Sequence, residues 1–199
     1  MKSKWFSTLQ ILENEKIRLE PLEQDHSIDL FKQNHSGIWA YMLREIGSLK
    51  EMEDWVAEAI QLRENQLALP FIVRLKETNK IVGSTRLFDI NFIHKSCELG
   101  STWYGQEYQR TFVNSNCKSL LLMYCFEELG MIRVQFKTDE RNIRSQKALE
   151  RLGAVKEGVL RKERILSDGY IRNAVLYSIT GEEWVQIKQK FKERETRYQ

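Results

Sequence analysis

The sequence predicts an α/β (α+β) fold: a mixed, mostly antiparallel central sheet flanked by helices in a single domain. Three observations carry this. The chain has 199 residues without an internal repeat or a Pro/Gly/Ser-rich linker, a length that suits one domain with a sizeable core. Its apolar spacing changes from helical to strand-like near residue 70. A strand–helix–strand crossover over 96–138 interrupts an otherwise antiparallel meander, and such a crossover makes its two strands parallel neighbours or near-neighbours. The domain is expected to span 1–199, with its core at about 9–184 and a C-terminal helix or tail over 185–199.

Each element follows in order. Leu9–Leu12 and Lys16–Leu19, around Asn14-Glu15, form a short hairpin. Glu23–Asn34 is a helix. Ser48–Gln66 is a stronger one, with Met52, Trp55, Val56, Ala59, Ile60 and Leu62 on one stripe and Ser48 with Glu51 as a capping box. Phe71–Leu75 and Ile81–Ile90 are strands around the turn Glu77–Lys80. Ser96–Tyr104 is a third strand. A long helix follows from Asn114 to Leu129, with Gly130 as its C-terminal stop. Ile132–Thr138 is a strand and Asn142–Leu152 a short helix ending at Gly153. Val155–Leu166 and Tyr170–Thr180 pair through Ser167-Asp168-Gly169, a hairpin turn. A polar helix begins at Glu182. The two prolines, Pro21 and Pro70, are expected at element edges.

Composition narrows the function classes. Hydrophobic residues are 42% and charged residues 30% of the chain, a globular balance with no case for disorder. No apolar run reaches the roughly 20 residues of a membrane span. The start, Met1 to Phe6, has no apolar core like that of a signal peptide, so a cytoplasmic protein without membrane association is expected. The net charge of +3 is spread among mixed signs, which gives nucleic acid little to hold. Cys97, Cys117 and Cys125 lack disulfide-framework or zinc spacing. His26, His35 and His94 are scattered, so no metal is expected; Cys125 reads as a buried thiol.

Three places could carry chemistry. At the join of strand 96–104 and the helix from Asn114, unpaired N–H groups and a helix dipole can hold a diphosphate, with Arg110 and Lys118 adding attraction; an ordinary capped helix start is the alternative. Asn142 can cap its helix, with Ser145 three residues on. Arg141, Arg144, Lys147 and Arg151 make that helix basic, either as a solvated face or for a cofactor phosphate. Glu98 can accept a proton or be an ion-paired strand residue. Trp39, Tyr41, Trp103 and Tyr104 line a substrate cleft or are plain core.

Together these segments resemble the GNAT superfamily of N-acetyltransferases, nearest to the ribosomal-protein alanine and serine N-acetyltransferase branch. The residues carrying the resemblance are Leu12 to Leu22, Glu98-Leu99-Gly100, Trp103 to Gln109, Phe126 to Gly130 with Ile132-Arg133-Val134, and Asn142 to Ser145 through Glu150 to Gly153. The likeness spans about Leu9 to Trp184. It implies a GNAT-like sheet and acetyl-CoA as co-substrate, bound by Trp103, Tyr104, Gln109, Arg110, Thr111, Phe112, Val113, Asn114 and Asn142. It implies direct acetyl transfer to an amine, either a protein N-terminus or a small molecule. Glu98 would be the base, Ser145 the acid for the leaving thiolate, and N–H groups near Trp103 and Tyr104 the oxyanion donors. Homodimerisation is left open. A non-catalytic acyl-CoA-binding or protein-interaction module is the alternative function.

The chain also departs from the family pattern. Phe112 and Asn114 stand where the phosphate loop has small residues, so the Phe112 ring must turn away or the loop run differently. One extra residue lies between Glu98 and Gln109, which a β-bulge could absorb. Leu149 stands where many members carry a tyrosine acid.

Overall fold

The structure is a computed structural model that describes residues 10–166 and 168–196. The Leu9 end of the first hairpin, the Met1–Phe6 segment, Ser167 of the last turn and the end of the 185–199 tail lie outside the described residues.

Eight strands form one sheet in the order β1-β2-β3-β4-β5-β6-β8-β7. They are β1 (Leu12–Glu13), β2 (Ile17–Pro21), β3 (Ala68–Leu75), β4 (Ile81–Asn91), β5 (Ser96–Tyr104), β6 (Arg133–Asp139), β7 (Val155–Ile165) and β8 (Ile171–Thr180). Only β5 and β6 pair in parallel, because α4 (Phe112–Met123) carries the chain back between them. The expected mixed sheet and crossover are both present.

The alternation of side chains along each strand feeds two cores. Ile17, Leu19, Leu69, Phe71, Val73, Leu87, Leu99 and Val134 pack with residues of α4, α5 (Ile143–Leu152) and α6 (Gly181–Thr196). Leu22, Ile72, Ile81 and Trp103 pack the other way, against α1 (Ser27–Lys32), α2 (Ser36–Trp39) and α3 (Leu49–Glu64). A sheet buried on both faces in this manner is what a period-two sequence with covering helices produces.

Several local readings hold at the atomic level. Ser48 accepts from the Glu51 N–H while the Glu51 carboxylate accepts from Ser48, closing the capping box of α3. Asn142 Oδ1 accepts from the Ser145 N–H at 3.0 Å and caps α5. Gly153 ends α5 at φ +103°, a backbone state that glycine adopts without a Cβ penalty.

Four expectations change. Glu23–Asn34 is not one helix but a 3₁₀ turn (Gln24–His26) followed by α1. The segment Ser36–Trp39 adds a short helix that no periodicity announced. Pro70 lies inside β3 rather than at its edge; its missing N–H is tolerated while its carbonyl accepts from Leu22 N at 3.0 Å. The crossover helix is α-helical only to Met123 and ends in a π-helical turn, Tyr124–Glu128.

Gly83 on β4 is forced by close approach. A Cβ there would lie 2.1 Å from the Trp103 carbonyl oxygen on β5. That neighbour is backbone and cannot rotate away. Gly83→Ala is therefore expected to destabilise the protein by at least about 2 kcal/mol, measured as a lowered urea midpoint. An unchanged midpoint would mean that β4 and β5 separate freely.

Candidate active site

The site is built by the parting of two strands. β5 and β6 pair at Ser96–Arg133, Cys97–Val134 and Glu98–Gln135, and nowhere beyond. Past Glu98 the backbone of β5 turns its β6 side to an open gap. A bulge sits at this point: Ser84 pairs with Trp103 but Arg86 with Gly100, so β5 carries one extra residue, with Ser101 at φ +48°. A bulge here is one way to accommodate the extra residue counted between Glu98 and Gln109. Backbone direction follows from strand alternation. Gly105 N donates to Val82 O on the β4 side, and the Trp103 carbonyl also faces β4. The Tyr104 N–H and C=O therefore point into the gap. Of the two proposed oxyanion donors, Tyr104 is the one so aimed.

Glu98 stands on the last paired rung. Its Oε2 lies 2.7 Å from Lys137 Nζ and accepts from Gln135 Nε2 at 3.1 Å. Its Oε1 lies over Gly100, 3.8 Å from where a Cβ would sit. Among the described residues, no hydrogen bond reaches Oε1. Glu98 is thus both ion-paired and open on one oxygen. Sequence spacing flagged neither Lys137 nor Gln135; both emerge only from the parallel register.

At the start of α4, Thr111 Oγ1 accepts from Val113 N at 3.3 Å and donates to Tyr108 O at 2.8 Å. Arg110 adopts φ +63° just before it. Phe112 turns outward, 45% exposed, with Lys16 Nζ 5.5 Å from its ring centre. Asn114 turns inward, where its Oδ1 accepts from the Tyr104 hydroxyl at 3.3 Å. Val113 is buried in the core, so only its backbone faces the loop. The ring of Phe112 is drawn toward the β1–β2 turn, in line with the first of the two ways of accommodating it.

Gln109 joins three segments. Its Nε2 lies 3.1 Å from His35 Nε2 and 3.3 Å from Tyr104 O. Its Oε1 accepts from Arg144 Nη2 at 2.6 Å. The β5 loop and α5 are thereby tied across the mouth of the gap. Ser145 lies on the first turn of α5 and no hydrogen bond from its hydroxyl is found among the described residues. Arg141 is bound to Asp139 through Nε and Nη2, both at 2.9 Å, and stacks 3.6 Å from the Tyr170 ring centre. Arg141 and Arg144 of this basic region are therefore engaged by protein partners.

The four aromatic candidates divide. Trp39 and Trp103 meet Trp55, with ring centres 5.6–6.3 Å apart. Tyr104 lies on the opposite face of the sheet, and Tyr41 faces Arg141 at 5.7 Å. Lys118 is not a surface cation near the loop. It is buried, donating to Thr102 Oγ1 on β5 at 2.9 Å and lying 5.7 Å from the Phe136 ring centre on β6. It sits beneath the parting strands. Burial pushes its ammonium down to about 8, with Cys117 and Cys125 opposing. Cys97, Cys117 and Cys125 are all buried free thiols, Cys97 and Cys125 within 3.6 Å of each other.

This parted sheet with a helix start at its mouth has relatives. The sequence profile of the acetyltransferase (GNAT) domain matches residues 16–155. The chain belongs to the GNAT acetyltransferase family. It is 25% identical over 186 residues to the candidate ribosomal N-acetyltransferase YdaF of Bacillus subtilis strain 168, covering 89% of this chain and 97% of that one. A crystal structure of a candidate acetyltransferase from T. thermophilus is 31% identical, with a TM-score of 0.85 over 94% of this chain and 97% of that one. The microcin C7 self-immunity acetyltransferase MccE, solved with acetyl-CoA and AMP, shares the fold at a TM-score of 0.73 and 22% identity, over 84% and 93% of the two chains. This chain is an acyltransferase of the GNAT type. Among the described residues, no helix is long and apolar enough to cross a membrane.

Lys118 gives this GNAT chain a pH signature. The folded state holds the ammonium in a poorly solvated place, and its affinity for the proton is lowered. Between about 8 and about 10.5 the unfolded chain binds more protons, so stability rises with pH across that window. Lys118→Met removes the titration. The stability of wild type relative to this variant should increase by about 2 kcal/mol from pH 7 to pH 9.5 in urea unfolding. A flat difference would show the amine to be solvated in the folded protein.

Proposed function

We propose that this GNAT chain transfers the acetyl group of acetyl-CoA to a primary amine, on a protein N-terminus or a small molecule. The observation that carries this is the Tyr104 N–H aimed into the β5–β6 gap beside an open carboxylate oxygen of Glu98. A thioester carbonyl lying in the gap would meet the Tyr104 N–H as charge develops on its oxygen. An amine arriving from the α1–α3 face, on which Glu98 lies, would give its proton to Oε1, directly or through water. The start of α4, with the loop from Gln109 to Asn114, would take the diphosphate. Asn142 caps the first turn of α5, from which the Ser145 hydroxyl would protonate the departing thiolate. The acetyl-CoA bound to MccE supports the same co-substrate here, and the likeness to YdaF favours a protein N-terminus as one acceptor.

The test has two arms. Acetyl-CoA at about 100 times its dissociation constant should add roughly 2.7 kcal/mol of stability, read as a raised melting temperature; no shift at millimolar concentration sinks the proposal. Phe112→Gly should leave that shift intact, because its ring is directed to Lys16. Glu98→Gln should lower kcat/KM by about 10²-fold at pH 7. An α-amino group has a pKa of about 8, so the deficit should narrow toward pH 9, where the amine needs no base. A deficit independent of pH would remove Glu98 from the proton's path.

A further inference from the structure

On the α1–α3 face of the sheet, buried donors gather without acceptors. Arg86 on β4 is 5% exposed, yet among the described residues its Nε and Nη2 have no hydrogen-bond partner, and neither has the buried Nε1 of Trp103. Both residues lie against one ring: the Arg86 guanidinium is 3.9 Å from the centre of Trp55, and Trp103 is 6.0 Å from it. Glu58 favours the Arg86 charge and Arg44 opposes it, but the Glu58 carboxylate is already held by Arg44. Leaving such donors buried and unmet costs about 1–3 kcal/mol each, more for a charged group. A protein stabilised only for folding would exchange them for apolar groups.

The unpaired nitrogens identify the missing acceptor. Nε and Nη2 form the edge of a guanidinium that grips a carboxylate with two parallel hydrogen bonds. The same edge holds carboxylates elsewhere among the described residues: Arg74 binds Glu20 through Nε and Nη2 at 2.9 Å each, Arg141 binds Asp139 likewise, and Arg172 places both nitrogens on one oxygen of Glu163. Arg86 presents that edge with no carboxylate on it. We propose that Arg86 and Trp103 form a buried receptor for a carboxylate carried by the acceptor amine, so that the substrate is an amino acid or a similar amino carboxylate. This deepens the acetyltransferase reading and rests on it.

Placement agrees. Arg86 pairs with Gly100 and Phe88 with Glu98, so Arg86 and Glu98 share one face as diagonal neighbours, about 7–8 Å apart. The Glu98 Oε1 reaches over the same Gly100. A molecule with its carboxylate on Arg86 would have an amine a few bonds away beside Glu98. Trp39 completes the aromatic wall and also borders a cavity of about 190 Å³, lined by Ser36, Met42 and Leu166 and by the acidic Glu45 and Asp168, which would suit the amine end of a ligand rather than its carboxylate. Burial pushes Arg86 down only to about 10, so it remains a cation at neutral pH.

The common L-amino acids and their carboxamides, which differ only in the carboxylate, are the probes. Two readouts are taken on the full chain: thiol release from acetyl-CoA, and tryptophan fluorescence during titration without acetyl-CoA. Wild type should favour at least one acid over its amide by at least about tenfold in kcat/KM, and that acid but not its amide should change the fluorescence. Arg86→Met should erase the preference while retaining the acetyl-CoA thermal shift, and Trp103→Phe, which keeps a six-membered aromatic ring but removes the N–H donor, should erase the preference as well. Should Arg86→Met fail to fold, Trp103→Phe and Arg86→Lys carry the comparison. If no amine releases thiol, fluorescence still decides the receptor: a response to acids lost in the Arg86 variants, which keep all the tryptophans, upholds it. Equal response to acids and amides, or the same preference in the variants, overturns it and leaves the donors to water.

Discussion

Everything in the site depends on how briefly β5 and β6 hold each other. Parallel pairing lasts from Ser96 to Glu98. Then the Ser101 bulge turns β5, and its remaining backbone groups on that side lose a strand partner. An open sheet edge inside a domain is costly unless something satisfies it. Tyr104 shows the consequence: its carbonyl accepts from the side chain of Gln109 instead of from a strand. The N–H groups left facing the gap are the property a thioester carbonyl can use. The bulge, the loss of pairing and the capacity for chemistry are one structural event.

The polar groups around the gap are arranged by face. On the α4 side, Lys118 donates to Thr102 between the two strands. On the α1–α3 side lie Glu98 with Lys137 and the unmatched edge of Arg86. Elsewhere the sheet is closed by Leu, Ile and Val. Two of the buried charges among the described residues, Arg86 and Lys118, thus flank the place where the strands part, one on each face, where desolvation is costly and electrostatic forces act strongly.

Much of this was legible in the sequence, for reasons particular residues show. The capping box at Ser48 and Glu51 and the stops at Gly130 and Gly153 are local signals, and they survive folding because they involve neighbours along the chain. The one-residue excess before Gln109 is of the kind a bulge absorbs, and a bulge is found at Ser101. What was hidden depends on register. Lys137 lies 39 positions from Glu98 and meets it only because Glu98 pairs with Gln135. Arg86 looks in sequence like any strand arginine; its burial follows from Trp55, supplied by a distant helix. The short α2 was hidden because four residues cannot show a helical period.

The loss of small residues in the phosphate loop has a physical resolution that sequence could not supply. Glycine is useful there because a backbone must approach a charged group closely. In this chain the special backbone state falls instead on Arg110, at φ +63°. The two larger side chains are each drawn off by a partner: Phe112 toward Lys16 of the β1–β2 turn, Asn114 toward the Tyr104 hydroxyl. Asn114 thereby ties the start of α4 to the same residue whose N–H faces the gap. Asn114 couples the start of α4 to the end of β5, so that under the proposed function a ligand spanning both would meet two parts of one hydrogen-bonded unit.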